Sequence, residues 1–287
     1  MTTGRPVSVQ RFVDEYETVA VLHDMAGDEL RNRDNRQGRP PRWLAVVDGK
    51  PVGAVTAWRR PDDRTFLSFA GGRPDTYGPL ASVVARDLTR SLYVWIDTDE
   101  VEDATALRAA GFVTELEMEK FRVGFGAVLA RLKRAWIPSG FAVHAADEVD
   151  EDRLFELDNT LRQDVPGTDG WRGDRAAFSE ELAETPPFDP SAYLVGVDGR
   201  TGEYGGLVRI WRNPSGPRLG LVGVLRPYRT TSLASALLQQ ALAAASEWGH
   251  KAFVTETSLS NRAIHPRLRQ LGAESLGRFL QLVRAPD

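Results

Sequence analysis

The stretch with the clearest chemical potential is a turn between an apolar strand and a long helix in the second half of the chain. The strand ends at Val224, Pro227 interrupts the regular structure, and an amphipathic helix begins near Thr231. The first amide groups of a helix have no intrahelical partner and lie at the positive end of the helix dipole, so they favour a bound phosphate. The sequence therefore predicts a phosphate site in residues 229–234.

Other kinds of chemistry are disfavoured by the residues that the sequence lacks or scatters. It has no cysteine, which excludes disulfide scaffolds, thiolate zinc sites and cysteine nucleophiles. The histidines are too far apart in sequence for a compact metal motif, so we expect no metal cofactor. They are His23, His144, His250 and His265.

The composition is typical of a globular protein with two domains. The chain has 287 residues, of which 42% are apolar and 26% are charged. The formal net charge of −4 argues against a nucleic-acid partner. There is no run of 18 apolar residues, and the first six residues lack the apolar core of a secretory signal. We therefore expect a cytoplasmic protein with no membrane partner.

The order of predicted elements occurs twice along the chain. In each half a helix precedes two β-prone runs that are joined by Asp-Gly, and a strand, a helix, another strand and a short helix follow. The junction lies near residues 135–140, so we predict domains at residues 1–135 and 141–287. The predicted helices, turns and strands include residues 12–26, 43–47, Asp48-Gly49, 52–58, 66–69, 80–88 and 92–96, and then residues 154–161, 193–197, Asp198-Gly199, 207–211, 219–224, 233–248 and 252–255.

The turn itself resembles a known sequence pattern. Residues 229–234, Arg-Thr-Thr-Ser-Leu-Ala, are similar to the pyrophosphate loop of the GNAT acyl-CoA-dependent N-acetyltransferases, Arg/Gln-x-x-Gly-x-Gly/Ala. Ser232 replaces the usual glycine, which keeps the amide donor but adds a side chain near the phosphate. Asn261-Arg262-Ala263-Ile264 and Leu271-Gly272-Ala273 resemble two later landmarks of the family. In the first half Ala110-Gly111-Phe112 fits the family, but residues 72–79 contain no comparable loop.

The resemblance implies an α/β (α+β) fold with two tandem GNAT-like domains, each with a mixed, mostly antiparallel sheet flanked by helices. The C-terminal domain would bind acetyl-CoA as cosubstrate, and the N-terminal domain would be a degenerate copy. The residues that the resemblance assigns to the cosubstrate belong to the strand before the loop, the loop and the later asparagine. They are Val222, Gly223, Val224, Arg229, Thr230, Thr231, Ser232, Leu233, Ala234 and Asn261.

Acetyl transfer to an amine requires that the amine first lose a proton, so a carboxylate near the cleft is expected. Glu256, at the predicted end of the strand that follows the loop helix, is the first candidate for the catalytic base, and Asp164 is the second. Family members often have a tyrosine in the closing helix to protonate the leaving thiolate, but this sequence has Leu268 there. Water, Ser260 or His265 would then have to donate that proton.

The acceptor is predicted to be a small cationic amine, such as an amine-bearing antibiotic or metabolite. Residues 147–189 contain 14 acidic and 4 basic side chains, a balance of −10, which could attract a cation or could form an ordinary solvated surface. Asp164 and Trp171 are the candidate substrate contacts. Trp171 could equally anchor its loop to the core.

Ser232 and Leu268 also allow a second interpretation, in which the chain is a non-catalytic acyl-CoA sensor or scaffold. The oligomeric state stays open between a monomer, in which the two halves pack as an internal pseudo-dimer, and a homodimer.

Overall fold

The computed structural model describes residues 6–36, 38–71, 73–168, 170–183 and 188–286. These residues form two compact units. The first runs to Glu117 and also takes in the end of the chain from Phe279, and the second comprises Met118–Arg278.

The first unit contains a sheet in the strand order β1-β2-β3-β4-β5-β12, which is antiparallel except between β4 and β5. Helices α3 and α4 bury one face of this sheet, with Leu80, Val84 and Leu107 in the core. The elements are β1 (Ser8–Arg11), α1 (Tyr16–Ala20), α2 (Gly27–Arg36), β2 (Arg42–Val47), β3 (Lys50–Arg59), β4 (Thr65–Ala70), α3 (Tyr77–Leu88), β5 (Leu92–Asp97), α4 (Val101–Ala109) and the last part of β12 (Glu274–Arg284).

The second unit contains a sheet in the order β6-β11-β10-β9-β8-β7, with β10 and β11 as its parallel pair. One face packs on α8 and the other on α6 and α7. The elements are the last part of β6 (Val113–Gly124), α5 (Phe125–Leu132), β7 (Phe141–Ala145), α6 (Glu151–Arg162), α7 (Arg175–Ala183), β8 (Tyr193–Asp198), β9 (Tyr204–Asn213), β10 (Gly216–Val224), α8 (Leu233–Ser246), β11 (Ala252–Ser258) and α9 (Ile264–Gln270).

The predicted fold class is confirmed, because each unit has a mixed, mostly antiparallel sheet flanked by helices. The helix predicted over residues 12–26 is instead divided. Asp24 adopts a left-handed conformation with φ of 51°, which ends the first helical segment before α2 begins. The turn at Asp48-Gly49 has φ values of 50° and 74°, as a two-residue hairpin with a primed turn requires.

The last strand of each repeat divides between the two units. Residues 118–124 of β6 pair with β11 of the second unit, and residues 279–284 of β12 pair with β5 of the first. The compact units are therefore separated at Glu117/Met118 and Arg278/Phe279, and not at the predicted junction of residues 135–140. The division into a degenerate domain at residues 1–135 and an acetyl-CoA-binding domain at residues 141–287 stays a prediction.

In both units the parallel strand pair separates soon after it forms. Strand β4 pairs with β5 only at Thr65↔Leu92 and Phe66↔Tyr93, and β10 pairs with β11 only at Arg218↔Val254. The outer neighbours of these strands stay paired along almost their whole length. Each sheet therefore contains a wedge-shaped cleft between two strands, lined by backbone and by side chains of both faces.

Candidate functional site

The cleft of the second unit has backbone donors along one edge. The amide of Leu225 donates to the carbonyl of Gly205 at 2.8 Å, so this residue pair is hydrogen-bonded across β10 and β9. Because donors alternate in direction along an antiparallel strand, the amides of Val222 and Val224 point away from β9, towards the cleft. The predicted strand residues Val222, Gly223 and Val224 thus lie at the edge of the cleft.

The turn that follows β10 adds a group of unpaired amides. Among the described residues, the amides of Thr230, Ser232, Ala234 and Ser235 have no hydrogen-bond acceptor. The neighbouring amides are occupied, since Thr231 donates to the carbonyl of Tyr228 at 3.1 Å and Leu233 donates to Thr231 Oγ1 at 3.2 Å. Four donors at the start of the 14-residue helix α8 form an arrangement that suits a phosphate group.

Ser232 fits this turn without disturbing it. Its φ of −78° is accessible to any L-residue, so the position does not require glycine. The hydroxyl group donates to the carbonyl oxygen of Trp136 at 2.7 Å. The serine side chain is therefore held by a neighbouring segment while its amide stays available.

Arg229 and Asp164 are brought together by the fold. They form an ion pair between the loop and the residues just after α6, with 41% and 51% of the side chains exposed. Leu161 of the same helix faces β10, where a Cβ atom on Gly223 would lie 3.4 Å from Leu161 Cδ2. The C-terminal end of α6 thus borders both the loop and the cleft.

Glu256 lies within β11, because this strand continues to Ser258 and not to Thr255 as predicted. Its Oε2 atom accepts a hydrogen bond from Arg218 Nη2 at 3.1 Å, and 23% of its side chain is exposed. Arg218 is paired in register with Val254, where β10 and β11 begin to separate. Glu256 therefore lies near the base of the cleft, oriented by an arginine that sequence reasoning had not selected.

The residues considered as proton donors to the thiolate lie in a packed environment. Leu268 is 6% exposed and belongs to the core beneath α8. His265 is 9% exposed, and its Nε2 atom lies 3.1 Å from the carbonyl oxygen of Ser258. The hydroxyl groups of Ser258 and Ser260 are hydrogen-bonded to each other at 2.8 Å. These contacts connect the start of α9 to the end of β11.

Trp171 is held at the end of α6. It is 9% exposed, the guanidinium of Arg162 lies 4.3 Å from its ring centre, and the side chain of Gln163 donates to its carbonyl oxygen. This burial favours the role of a loop anchor over that of a substrate contact. Asn261, in the turn after β11, is half-buried, and no described residue hydrogen-bonds its side-chain amide.

Many carboxylates of the acidic segment have arginine partners. Glu151 and Asp152 both bind Arg175, and Asp158 binds Arg162 at 2.5 Å. Residues 169 and 184–187 of this segment lie outside the described residues. The excess negative charge counted from the sequence is therefore partly neutralised in the fold.

A buried polar cluster beneath α6 was not anticipated from the sequence. Arg209 is 5% exposed and lies 3.7 Å from Asp158 and 3.5 Å from Glu181. Three buried atoms of the cluster, Asp158 Oδ1, Tyr193 OH and Arg209 Nε, have no hydrogen-bond partner among the described residues. The sequence does not indicate that Arg209 is buried beside carboxylates, because Asp158 and Glu181 lie on helices that reach this strand only in the folded chain.

The described residues were also compared with the requirements for a metal site and for a membrane-spanning helix. They contain no group of three or more metal-ligating side chains that could hold an ion. None of their helices combines the length and the apolar character needed to cross a bilayer.

The family model "Acetyltransferase (GNAT) family" matches residues 156–273. A comparison with curated protein sequences found no match.

Two similar solved structures span the whole chain. A GCN5-related N-acetyltransferase from Sphaerobacter thermophilus is 16% identical with a TM-score of 0.68, covering 98% of this chain and 97% of its own. A tandem GNAT protein from the clavulanic acid biosynthesis pathway is 16% identical with a TM-score of 0.64, covering 98% and 99%. Residues 156–273 are thus an acyltransferase domain of the GNAT family, and the chain as a whole has the fold of tandem GNAT proteins.

Proposed function

We propose that the second unit transfers an acetyl group from acetyl-CoA to the amine of a small cationic acceptor. The observation that carries the proposal is the group of four unpaired amides, from Thr230 to Ser235, beside the cleft between β10 and β11. A diphosphate is the part of acetyl-CoA that such donors complement.

The residues of the cleft suit the rest of the cosubstrate. The amides of Val222 and Val224 are available to an extended amide-bearing chain lying along β10, as a further strand would be. Acetyl-CoA, when bound, supplies the acetyl thioester. The amides at this edge are fixed by the pairing of β10 with β9, so they could stabilise negative charge on the thioester oxygen without reorganisation.

Glu256 is the group we assign as general base. Arg218 holds one oxygen of its carboxylate, and the other oxygen has no donor among the described residues. A carboxylate that is both oriented and partly exposed can accept a proton from an ammonium group directly or through water. Because Leu268 is buried in the core, we assign protonation of the leaving thiolate to water.

A positively charged acceptor is favoured by the acidic segment over α6 and α7, although several of its carboxylates are bound by arginine. Acetylation would remove the charge of such an amine. An amine-bearing antibiotic or metabolite fits this class.

The decisive test is substitution at Ser232. Ser232→Glu places a carboxylate among the four amides, so calorimetry should show loss of CoA binding, at least 100-fold. Ser232→Gly is the matched control and should bind CoA within about threefold of the native chain, because φ at this position is ordinary. CoA affinity unchanged in Ser232→Glu would show that the phosphate site is elsewhere.

Release of free thiol with a panel of amines then separates transfer from binding alone. Turnover with at least one amine is the expected result. Tight CoA binding without turnover over a broad panel would favour the sensor or scaffold instead.

A further inference from the structure

The cleft of the first unit is a cavity of about 280 Å³ between the separating strands β4 and β5. Residues of both sheet faces line it. Trp58, Phe66 and Trp95 lie on one face of the sheet, and Tyr77, the first residue of α3, packs on the other. Glu100 and Asp103 of the segment that begins α4 complete the lining.

The aromatic side chains form one continuous wall. The Phe66 and Trp95 ring centres are 4.5 Å apart, and that of Trp58 lies 5.2 Å from Phe66 and 5.8 Å from Trp95. Trp58 and Trp95 are 38% and 46% exposed, so solvent reaches this wall. The faces of such rings attract cations through their quadrupole.

These rings already attract a cation of the chain itself. The guanidinium carbon of Arg60 lies 5.1 Å from the Phe66 ring centre and 5.5 Å from that of Trp95. Arg60 is not among the residues that line the cavity. The wall thus has the electrostatic character needed to bind an ammonium group.

The opposite side of the cavity is acidic. Residues 97–103, Asp-Thr-Asp-Glu-Val-Glu-Asp, contain five carboxylates and no basic residue, and two of the five, Glu100 and Asp103, line the cavity. None of the described lining residues is basic. Burial and the neighbouring Asp103 raise the pKa of Tyr77, which stays a neutral hydroxyl group hydrogen-bonded to Asp103. A diphosphate is disfavoured here, and a cation is favoured.

We propose that the cavity between β4 and β5 binds a small organic ammonium ion, with its apolar part against Trp58, Phe66 and Trp95 and its charge balanced by Glu100 and Asp103. This site is separate from the proposed acetyltransferase cleft and does not depend on it. A cation between an aromatic wall and two carboxylates gains from both attractions.

The test uses the full chain and two probes of the same shape, choline and its uncharged analogue 3,3-dimethylbutan-1-ol. Calorimetry should show choline binding at least tenfold more tightly than the neutral analogue. Trp95→Leu should weaken choline binding at least tenfold, and so should the double substitution Glu100→Gln with Asp103→Asn. The matched control Glu102→Gln, on the same helix but outside the cavity, should leave it within twofold.

Circular dichroism of each variant establishes that it is folded. Equal affinity for the two probes, no choline binding up to about 50 mM, or unchanged affinity in the folded cavity variants would each overturn the proposal. Ser232→Glu, which is directed at the other cleft, should bind choline as the native chain does. A loss of choline binding in that variant would place the ammonium site in the second unit.

Discussion

The cleft between β4 and β5 and the cleft between β10 and β11 are both formed by a parallel strand pair that separates, but different types of side chain line them. In the second unit, Arg218 and Glu256 lie at the point where the parallel strands separate and are joined by a hydrogen bond. In the first unit, Phe66 is paired with Tyr93 at the corresponding point, and Trp95 lies two residues further on, as Glu256 does after Val254. An ion pair in one unit thus corresponds to a pair of aromatic rings in the other. The strand separation forms the cleft in each unit, and the side chains that line the cleft determine which ligand it can bind.

The turns that follow β10 and β4 differ in the number of free backbone amides that are observed. In the second unit four amides between Thr230 and Ser235 are unpaired. In the first, the amides of Thr76 and Tyr77 already donate to carbonyl oxygens of the turn, and Pro74 and Pro79 have no amide hydrogen. Part of this turn, Gly72, lies outside the described residues. Pro74, Thr76, Tyr77 and Pro79 therefore offer no free amide of the kind found between Thr230 and Ser235.

The comparison would break most clearly at Glu256. We expect Glu256→Gln to lower the rate constant of acetyl transfer about 100-fold or more, because the amide cannot accept the proton of the amine. CoA affinity, measured by calorimetry, should be unchanged. The matched control is Glu274→Gln, which removes an exposed glutamate that also binds an arginine, Arg122. Equal turnover in the native chain and Glu256→Gln would exclude Glu256 as the base.

One substitution can give the turn before α8 a feature of the turn before α3, a proline in place of a residue with a free amide. Ser235 is the third residue of α8, as Pro79 is of α3. Ser235→Pro should weaken CoA binding about tenfold, because a hydrogen bond to a charged group contributes about 1.5–3 kcal/mol. The first turn of a helix tolerates proline, so stability should change little. Ser235→Ala keeps the amide and should retain CoA affinity; the same loss in both variants would assign the effect to the hydroxyl group.

A smaller effect, confined to the first unit, is a loss of folding stability at acidic pH. Burial, together with the nearby Arg42 and Arg33, lowers the pKa of His23 in the first unit to about 4. Because its pKa in the folded chain is below the ordinary value of 6.5, protonation favours unfolding. The contribution of neutral His23 is fully present above pH 6.5 and decreases as the pH falls towards 4. After allowance for solvent screening, it amounts to about 1–2 kcal/mol.

This loss should disappear in His23→Gln. The free energy of unfolding, measured between pH 7 and pH 4, should fall less steeply in that variant than in the native chain. His144→Gln is the control, because 43% of the His144 side chain is exposed. Superimposable pH profiles for the native chain and His23→Gln would contradict the assignment.

Local patterns predicted most of the elements around the candidate site. Apolar runs gave the strands, and the small-residue turn before Leu233 gave the start of α8 and its free amides. The partner of Glu256 was not predictable, because Arg218 is 38 positions away and meets it only through parallel pairing. The aromatic wall of the first cleft was missed for a similar reason. Trp58, Phe66 and Trp95 belong to three different strands, and each reads as an ordinary strand residue.

The sequence by itself determined the repeated order of elements and the exclusion of cysteine chemistry, since these follow from local periodicity and composition. It also predicts an anion site at residues 229–234, from the unpaired amides at the start of a helix. Only the tertiary structure decided that β6 and β12 each contribute residues to both units, and which charges neutralise one another in the acidic segment. Strand pairing and ion pairing join residues that are distant in the chain. Their partners are therefore selected by the packing of the whole unit, which no local pattern records.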